Sequence, residues 1–153
     1  MSTIQKIQAE IVEDFGMFDD WMQKYEYLID LGNELAPIKE QYKTEDNLIK
    51  GCQSRVWLHA EHTQGKIIFT ADSDAIMTKG IVAILINVLS NQAPKDIATA
   101  NIAVNTMVGD GSDTTLALSM GTKGIGSVND VSVFIMHFCF FYKTLIIIIL
   151  CVF

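Results

Sequence analysis

The chain has 153 residues, room for one compact domain that buries roughly two-thirds of its unfolded surface. Eleven Lys and Arg stand against 18 Asp and Glu, a net charge of −7, and that balance can hardly supply the basic face a nucleic-acid binder needs. Three cysteines, Cys52, Cys139 and Cys151, have neither CxxC spacing nor an even count, which argues against a disulfide framework or a four-ligand zinc site and fits a reducing cytoplasm.

The opening MSTIQKIQAEIVEDF carries acids from position 10 and no apolar run of leader length, so a cleaved export signal is not expected. Ile4, Ile7 and Ile11, spaced by three and four among polar residues, predict an amphipathic helix. Phe18, Trp21, Met22, Tyr25, Leu28 and Ile29 form a second such stripe. Asp19 and Asp20 fall at its first turn, Gly32 suits its C-terminal cap, and both stripes are expected to face the core. Pro37 and KEQYKTED (39–46) then read as a connection.

Beyond Gly51 the period changes to two. Val56, Leu58 and Ala60 alternate with Trp57, His59 and Glu61, and HTQGK (62–66) turns into IIFTA (67–71), which predicts a hairpin. Ser73 or Asp74 can cap a helix starting near Ala75. The segment IMTKGIVAILINVLS (76–90) is apolar on nearly every side, so it should be enclosed by the fold, with Gly80 admitting a neighbouring backbone. Pro94 suits the first turn of a short helix. These elements add up to an α+β domain, helices packed on a small antiparallel sheet.

Residues 1–100 hold 15 acids and 9 bases, whereas 19 of the 23 residues from Val131 to Phe153 are apolar, with Lys143 the only formal charge. The chain is accordingly read as a domain over 1–100 and an atypical tail over 101–153. The glycines of the tail make neither a P-loop nor GxGxxG, and Asp110 and Asp113 lack the remaining ligands of a calcium loop; no metal is expected. A membrane span over 134–153 would have to tolerate His137 and Lys143 near mid-bilayer, so membrane attachment is disfavoured.

The chemical feature of the chain is Cys52 in KGCQSRVW (50–57), where the polar connection becomes a strand. Lys50 and Arg55 bracket it, and nearby cations favour the nucleophilic thiolate. Gly51 leaves the approach to sulfur uncrowded. An inert loop thiol is the alternative that two flanking charges leave open. A cysteine hydrolase would need a base, and His59 and His62 are the candidates before the tail. His59 lies seven residues from Cys52, roughly 23 Å along an extended strand. Thiol exchange needs no such base, and a cysteine without a resolving partner suits accepting a sulfur and passing it on.

Residues 1 to about 100 closely resemble the SufE family through IVEDF (11–15), FDDWMQKYEYLIDLG (18–32), YKTEDNLIKGCQSRVWLHAE (42–61) and FTADSDAI (69–76), GCQSRVW being the specific part. The resemblance implies a SufE/IscU-like fold with the cysteine in a loop at one end. It also implies a sulfur carrier rather than an enzyme. Cys52 would accept persulfide sulfur from a SufS-like cysteine desulfurase, stimulate that enzyme, and pass the sulfur to a cluster scaffold. PLP would belong to the desulfurase, leaving this chain with no cofactor of its own. Asp72 and Asp74, at the hairpin's exit, are expected on the docking surface, with helix capping as the competing reading for Asp74. A homodimer stays open. The family ordinarily closes with further amphipathic helices, one of them Arg-containing, and residues 101–130 contain no arginine. A shifted reading frame would account for the change in composition; the alternative is a non-catalytic or membrane-attached interaction module with an impaired domain.

Overall fold

The computed structural model describes residues 3–50 and 54–102 and the short strand at 118–119. Helix α1 (Thr3–Gly16) buries Ile4 and Phe15 and leaves Ile7 and Ile11 half-buried. Helix α2 (Trp21–Glu34) opens on Asp20, whose carboxylate accepts the Met22 amide at 3.2 Å, the capping geometry expected of an aspartate there. Tyr27 joins the two helices, its ring 5.0 Å from Phe15 and its hydroxyl donating to Asp14 at 3.3 Å.

Two expectations for α2 are corrected. Of its stripe only Leu28 is fully buried, while Trp21 and Met22 are 59% and 45% exposed. Helical spacing reports which residues share a face without reporting whether neighbours cover all of it. Gly32 is not a cap: α2 continues to Glu34 and ends on Leu35. A Cβ on Gly32 would stand 2.8 Å from the Gly80 nitrogen, and one on Gly80 would collide with the Leu28 carbonyl oxygen. The two glycines let α2 and α3 (Ile76–Leu89) touch backbone to backbone, as expected of Gly80.

Strands β1 (Val56–Thr63) and β2 (Lys66–Ser73) pair antiparallel from Val56 opposite Ser73 to Thr63 opposite Lys66. Gln64 and Gly65, with φ of 52° and 77°, supply the two left-handed residues of a tight hairpin turn. A lone hairpin is marginal in water, and this one is extended at both edges. Leu48 bridges to Trp57 on one side, and on the other Ile67 pairs with Gln92, its amide donating to the Gln92 carbonyl at 2.9 Å. One face of the hairpin, with Val56, Leu58, Phe69 and Ala71, is buried. It lies against α3, which is buried from Gly80 through Ile86 and again at Val88 and Leu89, so α3 is enclosed as its composition requires. The opposite face is covered by two 3₁₀ turns, Glu40–Tyr42 and Glu45–Asn47, in the segment read as a connection, with the Tyr42 ring stacked on His59 at 3.6 Å. Helix α4 (Pro94–Ala98) begins at the proline, and Asn101–Ile102 (β3) pairs with Leu118–Ser119 (β4).

Candidate functional site

Cys52 and Gly51 lie outside the described residues; the two limbs that carry them do not. The Ile49 amide donates to the Val56 carbonyl at 2.8 Å, and Leu48 pairs with Trp57. This pairing closes the base of a loop formed by residues 50–55 at the start of β1. Lys50 and Arg55, the expected cations, are both exposed on the limbs.

The outgoing limb is tied to the start of α3. The Arg55 amide donates to the Asp74 carboxylate at 2.9 Å, the Asp74 amide donates back to the Arg55 carbonyl at 3.2 Å, and the Ser54 hydroxyl donates to the Thr78 hydroxyl at 3.1 Å. Asp74 therefore does not cap α3, which starts on Ala75 without a side-chain cap. Its carboxylate holds a backbone 19 residues away, a satisfied amide that sequence spacing could not anticipate. Ser73 comes nearer to the capping expectation, its hydroxyl accepting the Ala75 amide at 3.2 Å.

Asp72 is engaged from three directions. Lys79 and Lys43 each approach its carboxylate to 3.0 Å, and the Ser73 amide donates to it at 2.9 Å. Partial burial by itself raises this carboxyl's pKa. The hydrogen bonds from the two ammonium groups and the amide outweigh that effect and hold it below the ordinary 3.8. Lys43 also meets Glu40 at 2.8 Å. The hydrogen bonds it donates to Glu40 first, then to Asp72, raise its pKa, and it stands 5.9 Å from the Trp57 ring centroid. The structure thus brings Arg55 and Asp74 together at the loop and sets Asp72 in an ion cluster on the outer face. Ser54, Thr78, Lys43 and Lys79 join these contacts without having been singled out in the sequence; the one local sign was a hydroxyl two residues after Cys52.

The histidines stand elsewhere. His59 is stacked on Tyr42, and His62 is exposed near the far end of β1. They lie about 10 and 20 Å along the strand from Val56, where the loop ends. Among the described residues, no three His, Cys, Asp or Glu side chains gather as a metal-ligand set, and no helix is long and apolar enough to cross a membrane. The apolar stretch 134–153 lies outside those residues.

These contacts define a small α+β domain in which a cysteine-bearing loop is closed at its base by strand pairing and latched to a central helix. The SufE family profile, described as an Fe-S metabolism associated domain, matches residues 9–116, reaching past residue 100, near which the resemblance read from the sequence ends. The chain belongs to the SufE family, and its domain is one associated with iron–sulfur metabolism.

Proposed function

We propose that the protein is a sulfur acceptor in which Cys52 takes persulfide sulfur from a PLP-dependent cysteine desulfurase, stimulates that enzyme, and hands the sulfur on to cluster assembly. The observation that carries this reading is that Cys52 is the sole cysteine within the span 9–116 matched by the family. In the transfer, the Cys52 thiolate attacks the outer sulfur of the donor persulfide. A new sulfur–sulfur bond forms to Cys52 while the donor's own breaks, its electron pair leaving with the donor cysteine as a thiolate. The proton on the outer sulfur travels with it, and no external oxidant or reductant is consumed.

The loop's setting supports the chemistry. Exposed Lys50 and Arg55 lower the cost of a thiolate and of the persulfide anion that replaces it. Gly51 adds no side chain next to Cys52 in the sequence; the exposed Asp74 offers a carboxylate to a basic partner surface, and Asp72 would enter that surface as part of its ion cluster with Lys43 and Lys79. Histidine-assisted hydrolysis is disfavoured by the stacking of His59 on Tyr42.

Incubation of the full-length protein with a purified cysteine desulfurase and ³⁵S-cysteine tests the proposal. Label is expected on the wild-type protein, released by dithiothreitol, and absent from Cys52→Ser. Label persisting on Cys52→Ser, or an unlabelled wild-type protein, rejects the proposal, and the latter result would favour an interaction module without turnover.

A further inference from the structure

The two limbs of the loop are held unequally. Among the described residues the incoming limb is fixed only at Leu48 and Ile49, by pairing to β1. The outgoing limb has that pairing at Val56 and two further ties at consecutive residues, Arg55 through its main chain and Ser54 through its side chain. Both ties end on the entry to α3. The anchor itself cannot yield: two residues beyond Thr78, Gly80 is pressed against the Leu28 backbone, and the neighbouring Lys79 is paired with Asp72. A threonine in a helix can spend its hydroxyl on its own preceding turn. The Thr78 oxygen accepts a hydrogen bond from a residue 24 positions away, in a part-buried contact.

We infer that Thr78 is a positioning residue for sulfur transfer: through Ser54 it fixes the outgoing limb of the Cys52 loop on the rigid entry to α3. This inference rests on the sulfur-acceptor reading for its role, though not for the latch. A transfer between two proteins needs the attacking sulfur aligned with the donor bond, and small displacements of a supporting limb reduce the fraction of encounters that are productive. A small reagent in free solution carries no such demand. One hydrogen bond of this kind corresponds to about a fivefold change in the equilibrium between latched and released limb.

The test compares wild type, Thr78→Val, Thr78→Ser, Ser54→Ala and the Ser54→Ala/Thr78→Val pair as full-length proteins. Hydrogen exchange of the Arg55 amide should quicken about fivefold in Thr78→Val and Ser54→Ala. The double variant should be no faster than either single one, because both remove the same contact. Thr78→Ser, which keeps the hydroxyl, should match wild type. Transfer of ³⁵S from the desulfurase should slow by a similar factor, while the pH profile of Cys52 alkylation by iodoacetamide stays where it was. Unchanged exchange at Arg55 overturns the latch, and additive effects in the double variant do the same. Faster exchange with undiminished transfer, or a displaced alkylation profile, overturns the positioning role. A wild-type protein that takes no label defeats the sulfur-acceptor reading and the positioning role with it, leaving the latch to be judged by exchange alone.

Discussion

Gly80 shows how much one missing side chain can decide. Its hydrogen lies where any Cβ would run into the Leu28 carbonyl, with the Leu28 Cγ 2.8 Å away, and the obstacle includes backbone, which cannot rotate aside. Gly80→Ala must push α2 off α3, and we expect it to cost about 3 kcal/mol, read as a lower urea midpoint with an unchanged m-value. In an open helix the same change would stabilise. Asp72 makes a different prediction, on pH. Its folded-state pKa lies below the ordinary 3.8, so its contribution is complete at neutral pH and disappears as the pH falls through the lowered value. The stability gap between wild type and Asp72→Asn, measured in urea, should be constant from pH 7 to about 5 and shrink towards pH 2.5. A gap of the same size at pH 2.5 would show that the carboxylate's charge is not what stabilises the cluster.

Among the elements, those made by local pattern were legible and those made by distant contacts were not. The hairpin followed from alternation at Val56, Leu58 and Ala60 and from the turn residues Gln64 and Gly65. The enclosure of α3 followed from its apolar girth, and the start of α4 from Pro94. Gly32 misled because a glycine after an apolar stripe signals a helix end, whereas here it serves a crossing with Gly80, 48 positions on. The polar segment 39–46 gave no sign that Tyr42 would cover His59. At the site the cysteine's neighbours in sequence were visible, but the grip of Asp74 and Thr78 on the outgoing limb was not, because hydrogen bonds across 19 and 24 residues leave no periodic trace. The hairpin turn also yields a prediction. Gly65, with φ of 77°, should lose about 1 kcal/mol of stability on change to Ala, seen as a lower melting temperature with undisturbed sulfur transfer, since the turn lies at the opposite end of β1 from the loop.

At the largest scale, the described residues are assembled around one helix. Helix α3 meets α2 through the glycines and carries β2 on another side, while among the described residues the sheet reaches beyond two strands only through the single bridges at Leu48 and Gln92. Cooperative stability should therefore be greatest along α3. Its amides from Ile81 to Leu85 are expected to exchange only on global unfolding, and those of α1's first turn far sooner. Exchange of Ile81–Leu85 as fast as that of α1 would mean that the core lies elsewhere.

The lysine over Trp57 gives the protein an optical probe of its own. Trp57 sits two residues past the Arg55 tie, beneath the Lys43 ammonium and partly shielded, whereas Trp21, the other indole, is 59% exposed. Acrylamide should quench Trp21 first, leaving an emission dominated by Trp57. In Trp21→Phe, docking of a partner against the cysteine end could then be followed by fluorescence without any attached dye.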